Sequence, residues 1–391
     1  MQFDAIVIGA GAAGLMCAAQ GCKNGRRILL IDSANAVGKK IRISGGGRCN
    51  FTNLEVSCKN FISNNPNFVI SALKRYTPSD FIALVEKHKI AYHEKTLGQL
   101  FCDNSSKEII EMLLSELNKN VEIRLETKVV DVKKEGDLFI LRDNKNQIFQ
   151  SKSLVVASGG ISIPKMGASD FGYKIAKQFN LNVVAPKPAL VPLVFEDGLL
   201  TKTKKLSGIS INSYVSFNKI KFKEAVLFTH FGISGPAILQ ISSYIEEGDF
   251  ININFAPEIN VFAMLEKVRK ENPKQEIQNI LAQILPKKFA EFILEELNFS
   301  GKIADFSNEK LKKLSNFINS WTVKIKTSEG FSKAEVTRGG VDCDEISSKN
   351  FESKKVKNLF FIGEVLDVCG HLGGYNFQFA WASGFVCGGY I

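Results

Sequence analysis

Apolar residues first gather at Ala5–Ile8, a short uninterrupted run that predicts a buried strand. Ala12–Gln20 is small and apolar at helical spacing, and RILLID predicts a second strand that ends on Asp32. Residues 67–118 read as largely helical, with Phe68–Arg75, Asp80–Lys89 and Lys107–Leu117 carrying apolar residues three and four positions apart. From Val121 to Val156 the pattern shifts to strands: VEIRL, KVVDV, LFIL and SLVVAS. The last is continuously apolar and stops at Gly159-Gly160, as a buried parallel strand does. Pro186, Pro188 and Pro192 punctuate the next boundary. Beyond it, Leu193–Phe255 reads mostly as strands with one helix at Pro236–Ser243, and Asn260–Ser320 is helical with breaks at Pro273 and Pro286. WTVKIKT and KAEVTRGGV return to strand, Leu359–Ile362 is one more buried strand, and a helix in a glycine-rich frame starts at Tyr375.

These elements predict an α/β chain of discontinuous topology. Residues 1–190 and 331–391 form one doubly wound domain, because LFFI is a parallel-type strand with no partner nearby in sequence. Residues 191–330 are an insert, β-rich at 191–255 and 321–330 and helical at 256–320. A chain of 391 residues is too long for one ordinary core, which agrees with a division into domains.

The N-terminal elements enclose a chemical signature. FDAIVIGAGAAG (Phe3–Gly14) places Gly9, Gly11 and Gly14 in a GxGxxG loop between strand and helix. Gly9 permits a tight turn, Gly11 lets the backbone approach a pyrophosphate, and Gly14 lets the helix lie close on the strand. The helix N-terminus offers open N–H groups to phosphate, and Asp32 offers a carboxylate to a ribose. Strand, glycines, helix, strand and terminal acid in register predict a dinucleotide site.

Composition narrows the class. Hydrophobic residues make up 45% and charged residues 23%, as in a soluble globular protein. The first strand begins within three residues of Met1, and no apolar run reaches the length of a bilayer span, so a cytoplasmic protein without a membrane segment is expected. FQFAWASGFVCGGYI comes nearest to a span but is short and broken by glycine. The eight cysteines (17, 22, 49, 58, 102, 343, 369 and 387) show no CxxC and no zinc spacing, so no metal is expected and the thiols read as reduced. The net charge is +10, and its clearest cluster is Lys202, Lys204, Lys205, Lys219, Lys221 and Lys223. Without an aromatic–Arg interleave that cluster reads as a solvated lysine face, and nucleic acid is not the expected partner.

Four further motifs, GKKIRISGGGRCNFTN (38–53), LFTHFGISGPAIL (227–239), EVTRGGV (335–341) and NLFFIGEVLDVCGHLGGYNFQFAWASG (358–384), resemble the BaiN/YhiN-type, or aminoacetone-oxidase-like, flavoproteins of the two-dinucleotide-binding-domain superfamily. The similarity spans essentially the whole chain, in order. It implies a Rossmann-type FAD-binding domain and an FAD-dependent oxidoreductase, with NADH or NADPH as a transient electron donor. The cofactor-binding residues it implies are Gly9, Gly11, Ala13, Gly14, Asp32 and Ser33, and in the second loop Lys40, Ser44, Gly45, Gly46, Arg48, Cys49 and Asn50. Ser44–Gly47 present consecutive N–H groups as an anion nest, and Arg48 adds a fixed charge. By the same resemblance Val130 would bracket an adenine, and Ala157, Ser158 and Gly159 would end a strand where small residues admit the cofactor. Gly363 and Glu364 stand at the ribityl chain, and Gly373, Gly374, Tyr375 and Asn376 open a helix toward the flavin pyrimidine.

Candidate proton donors are His371, Tyr375 and His230, the histidines because their ordinary pKa suits acid–base work near neutrality. Cys49 lacks a nearby partner cysteine, which argues against a redox pair. No second complete GxGxxG is present, so a nicotinamide donor docks transiently or another donor serves. The expected reaction is hydride transfer through flavin N5 to a small organic acceptor, such as an activated C=C bond. The alternatives are an FAD-linked RNA-modifying protein, an oxidase passing electrons to dioxygen, and a flavin-binding sensor. The acceptor and the oligomeric state stay open.

Overall fold

The computed structural model describes residues 2–391, which divide into two compact units. One comprises residues 2–187 and Glu335–Ile391, the other Pro188–Ala334.

The first unit is built on a seven-stranded sheet. Its strands are β1 (Gln2–Ile8), β2 (Ile28–Ile31), β3 (Val121–Arg124), β4 (Val129–Glu135), β5 (Leu138–Asp143) and β6 (Ile148–Val156), with a seventh from the C-terminal segment, Leu359–Phe361. The order is β3-β2-β1-β6-β5-β4, and Leu359–Phe361 pairs with β6. β6 serves two layers of contact. Its first half, Ile148–Ser151, runs antiparallel to β5, and its last three residues, Leu154–Val156, run parallel to Leu359–Phe361. The apolar runs in β1, β2 and β6 are buried on both faces, as parallel strands covered by helices require.

Helix Ala12–Lys23 lies on this sheet and meets the C-terminal helix through glycine contacts. Helix Ala12–Lys23 and the C-terminal helix Tyr375–Gly388 approach so closely that a Cβ on Gly384 would lie 2.4 Å from Ala13 O, and one on Gly388 2.6 Å from Cys17 O. From Gln378 to Gly388 the C-terminal helix is buried except at Phe385. This is why its sequence is apolar all round: it is a core helix. Trp381 stacks on Phe81 at 4.5 Å and donates to Phe51 O at 2.8 Å. Among the described residues no helix is long and apolar enough to cross a membrane.

One segment differs from its periodicity. Within residues 67–118 three helices form, Ile70–Arg75, Pro78–Lys87 and Lys107–Ser115, but two strands, Tyr92–Glu94 and Gln99–Cys102, lie between the last two. They join Asn50–Asn53 in a three-stranded sheet. Strands of three or four residues carry too few alternations to show a period, and these form because Asn50–Asn53 supplies the partner edge.

The second unit holds a closed six-stranded antiparallel barrel. Its strands are β7 (Leu193–Phe195), β8 (Ser210–Phe217), β9 (Ile220–Phe228), β10 (Gly232–Ser234), β11 (Phe250–Asn254) and β12 (Trp321–Ser328), in the order β7-β10-β9-β8-β11-β12. β7 pairs with β12 and closes the ring. Helix Pro236–Ser242 follows β10, and helices Val261–Glu271, Ile277–Leu281, Lys287–Leu297 and Asn308–Asn319 separate β11 from β12. Phe228, Phe255, Phe289 and Trp321 form the aromatic centre of this unit's own core.

Candidate functional site

The ends of β1, β6 and Leu359–Phe361 converge at one edge of the first unit's sheet. A Cβ on Gly9 (φ +112°) would stand 2.3 Å from Ala157 O, so the turn after β1 lies directly on the end of β6. A Cβ on Gly14 would stand 1.9 Å from Gly9 O, which makes helix Ala12–Lys23 start hard against that turn. Gly363 (φ +71°) completes the junction, because its Cβ would meet Ala13 Cβ at 2.9 Å. Gly11 differs: no atom lies within 4 Å of where its Cβ would be. The helix that follows has no side-chain cap, so its first-turn N–H groups face this open space.

Asp32 is anchored beside this loop. Its Oδ2 accepts from Ala10 N–H at 2.7 Å and its Oδ1 from Ala34 N–H at 2.8 Å. Each oxygen keeps a second lone pair, which is what a ribose diol needs. Ser33 beside it is exposed. Val130 is the extra residue of a bulge between Val129 and Asp131 and is 47% exposed. A bulged residue drops out of the regular strand ladder, which bends the strand at this point. The Ser158 hydroxyl is buried without a partner among the described residues. The open space at Gly11, the uncapped helix N-terminus and the Asp32 carboxylate beside them together fit a dinucleotide such as FAD.

The second loop is a tight left-handed turn. Gly45, Gly46 and Gly47 have φ of +56°, +67° and +87°. Ser44 O accepts from Cys49 N–H at 3.0 Å, and the Ser44 hydroxyl donates to Ile41 O at 2.8 Å. Gly45, Gly46 and Arg48 are exposed on it. Two implied contacts change here. Cys49 has φ +51° and a fully buried side chain, and burial raises its thiol to about 12, so it is a neutral core group that reaches a cofactor only through its backbone. Asn376 is turned onto Gly370, donating to Gly370 O and accepting from Gly370 N–H, both at 2.8 Å, so its amide closes the 370–376 loop.

Glu364 is more committed than its sequence position suggests. Its Oε1 accepts from Lys40 Nζ at 3.0 Å, Ser162 Oγ at 3.1 Å and Thr337 N–H at 3.0 Å, and its Oε2 from Lys40 Nζ at 2.8 Å. Lys40 also donates to Ser162 Oγ at 2.8 Å. Thr337 Oγ1 accepts in turn from the N–H groups of Ile161 and Ser162 at 3.0 and 3.1 Å. One carboxylate thus ties four segments together. Ser162 and Thr337 were not singled out from sequence. Thr337 lies in EVTRGGV, the one available signal; ISIP around Ser162 gives none.

The 371–376 region sits over the start of the C-terminal helix. Gly373 and Gly374 have φ of +119° and +93°. Asn53 donates to Gly373 O at 3.0 Å. In the amide orientation that satisfies both ends, Asn50 accepts from Gly374 N–H at 3.3 Å and donates to Thr52 O at 3.1 Å. Gln378, fully buried, accepts from Thr52 Oγ1 at 2.7 Å and donates to Tyr76 O at 2.9 Å. His371 and Tyr375 meet edge to face, with ring centroids 6.1 Å apart. Burial pulls the His371 imidazole from its ordinary 6.5 down to about 4, so it stays neutral well below the pH at which a solvated histidine takes up its proton. His230 belongs to the second unit, exposed on the turn between β9 and β10. Among the described residues no group of three or more His, Cys, Asp or Glu side chains is placed to hold a metal.

The depressed His371 pKa makes a testable contribution to stability. An unfolded chain binds this proton near pH 6.5 and the folded one only near 4, so the stabilisation is present above 6.5 and is lost as pH falls toward 4. Between pH 7 and 5 wild type should lose up to about 2 kcal/mol more than His371→Gln. Urea midpoints of the two proteins at both pH values measure it; parallel losses would mean that His371 does not contribute to the pH dependence.

The HI0933-like protein Rossmann domain family matches residues 3–390. The chain belongs to this family. It is thus a flavin-dependent oxidoreductase with a Rossmann-type FAD-binding domain. Its sequence is 48% identical to the "Ribosomal RNA dihydrouridine synthase" of Escherichia coli (strain K12), over 99% of this chain and 97% of that protein. It is 47% identical to the protein of the same name from Haemophilus influenzae, over 98% and 96%. It is 26% identical to the "3-dehydro-bile acid delta(4,6)-reductase" of Clostridium scindens, over 98% and 97%. Among solved structures it is similar in fold to 3-ketosteroid-Δ4-(5α)-dehydrogenase from Rhodococcus jostii RHA1, with a TM-score of 0.50 at 12% identity over 99% of this chain and 97% of that one.

Proposed function

We propose that this protein reduces the C5=C6 bond of uridine in ribosomal RNA, with NADH or NADPH as the source of electrons. The observation that carries this reading is the 48% identity, along nearly the full length of both chains, to a protein named for that reaction. It replaces the small acceptor expected from sequence with a nucleobase, while keeping the activated C=C bond as the chemistry. Forming dihydrouridine adds a hydride equivalent at C6, β to the C4 carbonyl, and a proton at C5; no leaving group departs. Bound FAD supplies hydride chemistry at its N5.

The chain's own residues bind, orient and protonate. Gly9, Gly11, Ala13, Gly14 and Asp32 hold the AMP half and the diphosphate, with the Val130 backbone at the adenine. Lys40, Glu364 and the Ala157–Gly159 strand end fix the ribityl side, and Gly45, Gly46 and Arg48 flank the diphosphate and ring. The first-turn amides of the C-terminal helix direct partial positive charge at the ring edge where negative charge builds. The Tyr375 hydroxyl is the proton donor, with the neutral His371 ring against its edge. Tyr375→Phe should lower turnover about 100-fold while FAD content and reduction by NAD(P)H stay at wild-type levels. Equal loss of flavin reduction would assign Tyr375 to binding instead.

The direct test is anaerobic. Protein reduced to the end point is mixed with transcribed ribosomal RNA, and the flavin absorbance is followed. Return of the oxidised band with RNA, and not with buffer, supports the reading. A second reading, a small ring acceptor, is favoured by the 26% similarity to a Δ(4,6)-reductase. In that case small conjugated ketones reoxidise the flavin and RNA does not.

A further inference from the structure

The barrel sets the lysines of residues 219–223 beside side chains from neighbouring strands. On β9 the side chains of Lys221 and Lys223 point outward, while Val226 and Phe228 fill the interior. The register sets Tyr214 of β8 opposite Lys223, and Ser216 opposite Lys221. Lys221 Nζ lies 3.9 Å and Lys223 Nζ 5.4 Å from the Tyr214 ring centroid. The next strand, β11, sets Asn254 opposite Tyr214 and Asn252 opposite Ser216, with Ile251 and Ile253 turned inward. Phe250, at the start of β11, is 58% exposed and faces Lys324 of β12. Lys219 stands at the tip of the β8–β9 hairpin.

This is an open sheet face of unusual makeup. A solvated lysine face needs no aromatic side chains, and an outward phenylalanine on a strand costs solvation. Lys223 is paired with Glu258 and Lys324 with Glu196. Lys219 and Lys221 have no carboxylate partner among the described residues, and the chain as a whole carries +10. An exposed phenylalanine and a half-buried tyrosine, set among amides and unneutralised ammonium groups on one sheet, match a single-stranded nucleic acid. Its bases stack on rings while its phosphates take the charges. The interleave is invisible along one strand, because the lysines lie on β9 and the rings on β8 and β11.

We propose that the outward face of β9, β8, β11 and β12 is the surface on which this protein holds ribosomal RNA. Lys219, Lys221 and Lys223 contact phosphates, and Tyr214 and Phe250 stack on bases. The inference rests on the RNA-directed reading given above, and it locates the partner on the second unit.

Binding of transcribed ribosomal RNA by the full-length, FAD-loaded protein tests it. The triple variant Lys219→Ala, Lys221→Ala, Lys223→Ala should bind at least about tenfold more weakly at 0.15 M salt, with the slope of log affinity against log salt reduced by about two. Tyr214→Ala should weaken binding with little change in that slope, and Tyr214→Phe should restore it. All three variants should keep wild-type FAD content and melting temperature, since every substituted position faces outward. If wild type makes dihydrouridine and the variants bind RNA unchanged, the surface is refuted while the function stands. If wild type binds RNA through these residues but makes no dihydrouridine, the reaction is refuted while the surface stands. Capture by anionic phospholipid vesicles in preference to RNA at equal phosphate would identify the face as a membrane contact and overturn the proposal.

Discussion

Gly14→Ala should abolish FAD retention and lower the melting temperature together. The added methyl carbon would stand 1.9 Å from Gly9 O and 3.4 Å from Ala157 Cβ. Gly9 O is backbone and cannot rotate away, so helix Ala12–Lys23 has to move off the end of β1. That shift costs about 1–3 kcal/mol or more in a close-packed core. It also carries the first-turn amides away from the pyrophosphate, for a loss of at least about 100-fold in FAD affinity. Gly11→Ala separates the two effects. Its methyl group meets nothing within 4 Å in the chain itself, so the melting temperature of the apoprotein should hold while FAD affinity falls. Titration of apoprotein with FAD, followed by flavin fluorescence, measures both variants. Wild-type affinity in Gly11→Ala would place the pyrophosphate elsewhere.

Glu364→Ala should be the most damaging single change outside the glycine loop. It removes the acceptor for Lys40, Ser162 and the Thr337 N–H at one stroke. Lys40 and Glu364 keep 30% and 17% of their side-chain exposure, so water screens part of the loss. A cost of about 2–3 kcal/mol is expected, below that of a fully buried pair. Flavin retention should fall with it, because the carboxylate locks the loops at the ends of β6 and of Leu359–Phe361. A double-mutant cycle with Lys40→Met gives the sharper reading: a coupling of about 1–2 kcal/mol is expected, and additive losses would mean that the two side chains do not act as a unit.

The glycine fingerprint was readable from sequence because each of its residues answers a local steric demand. Spacing alone tells that Gly9 turns and that Gly14 lies against it. The parallel sheet was readable for a similar reason, since continuous apolar runs bounded by glycine have few other uses. The Glu364 network was not, because it joins Lys40 to Glu364 and Ser162 to Thr337 across separations of 324 and 175 residues. The depressed pKa of His371 was hidden as well: a histidine's type gives its ordinary value, and burial by distant segments sets the actual one. Barrel closure rests on β7 and β10, three residues each, too short to carry a period. The short strands Tyr92–Glu94 and Gln99–Cys102 were read as part of a helical region for the same reason. The lysine cluster shows the limit most plainly. Read along one strand it is a charged face; the cross-strand register supplies the rings that change its meaning.

Nucleoside mass spectrometry reads out directly whether the FAD-loaded protein reduces uridine in ribosomal RNA. Transcribed ribosomal RNA is incubated with the protein, FAD and either NADH or NADPH, then digested to nucleosides. Dihydrouridine, formed only when protein and nicotinamide are both present, is the predicted result. RNA recovered unchanged, from protein whose flavin is reduced by NAD(P)H and reoxidised by small conjugated ketones, would contradict it.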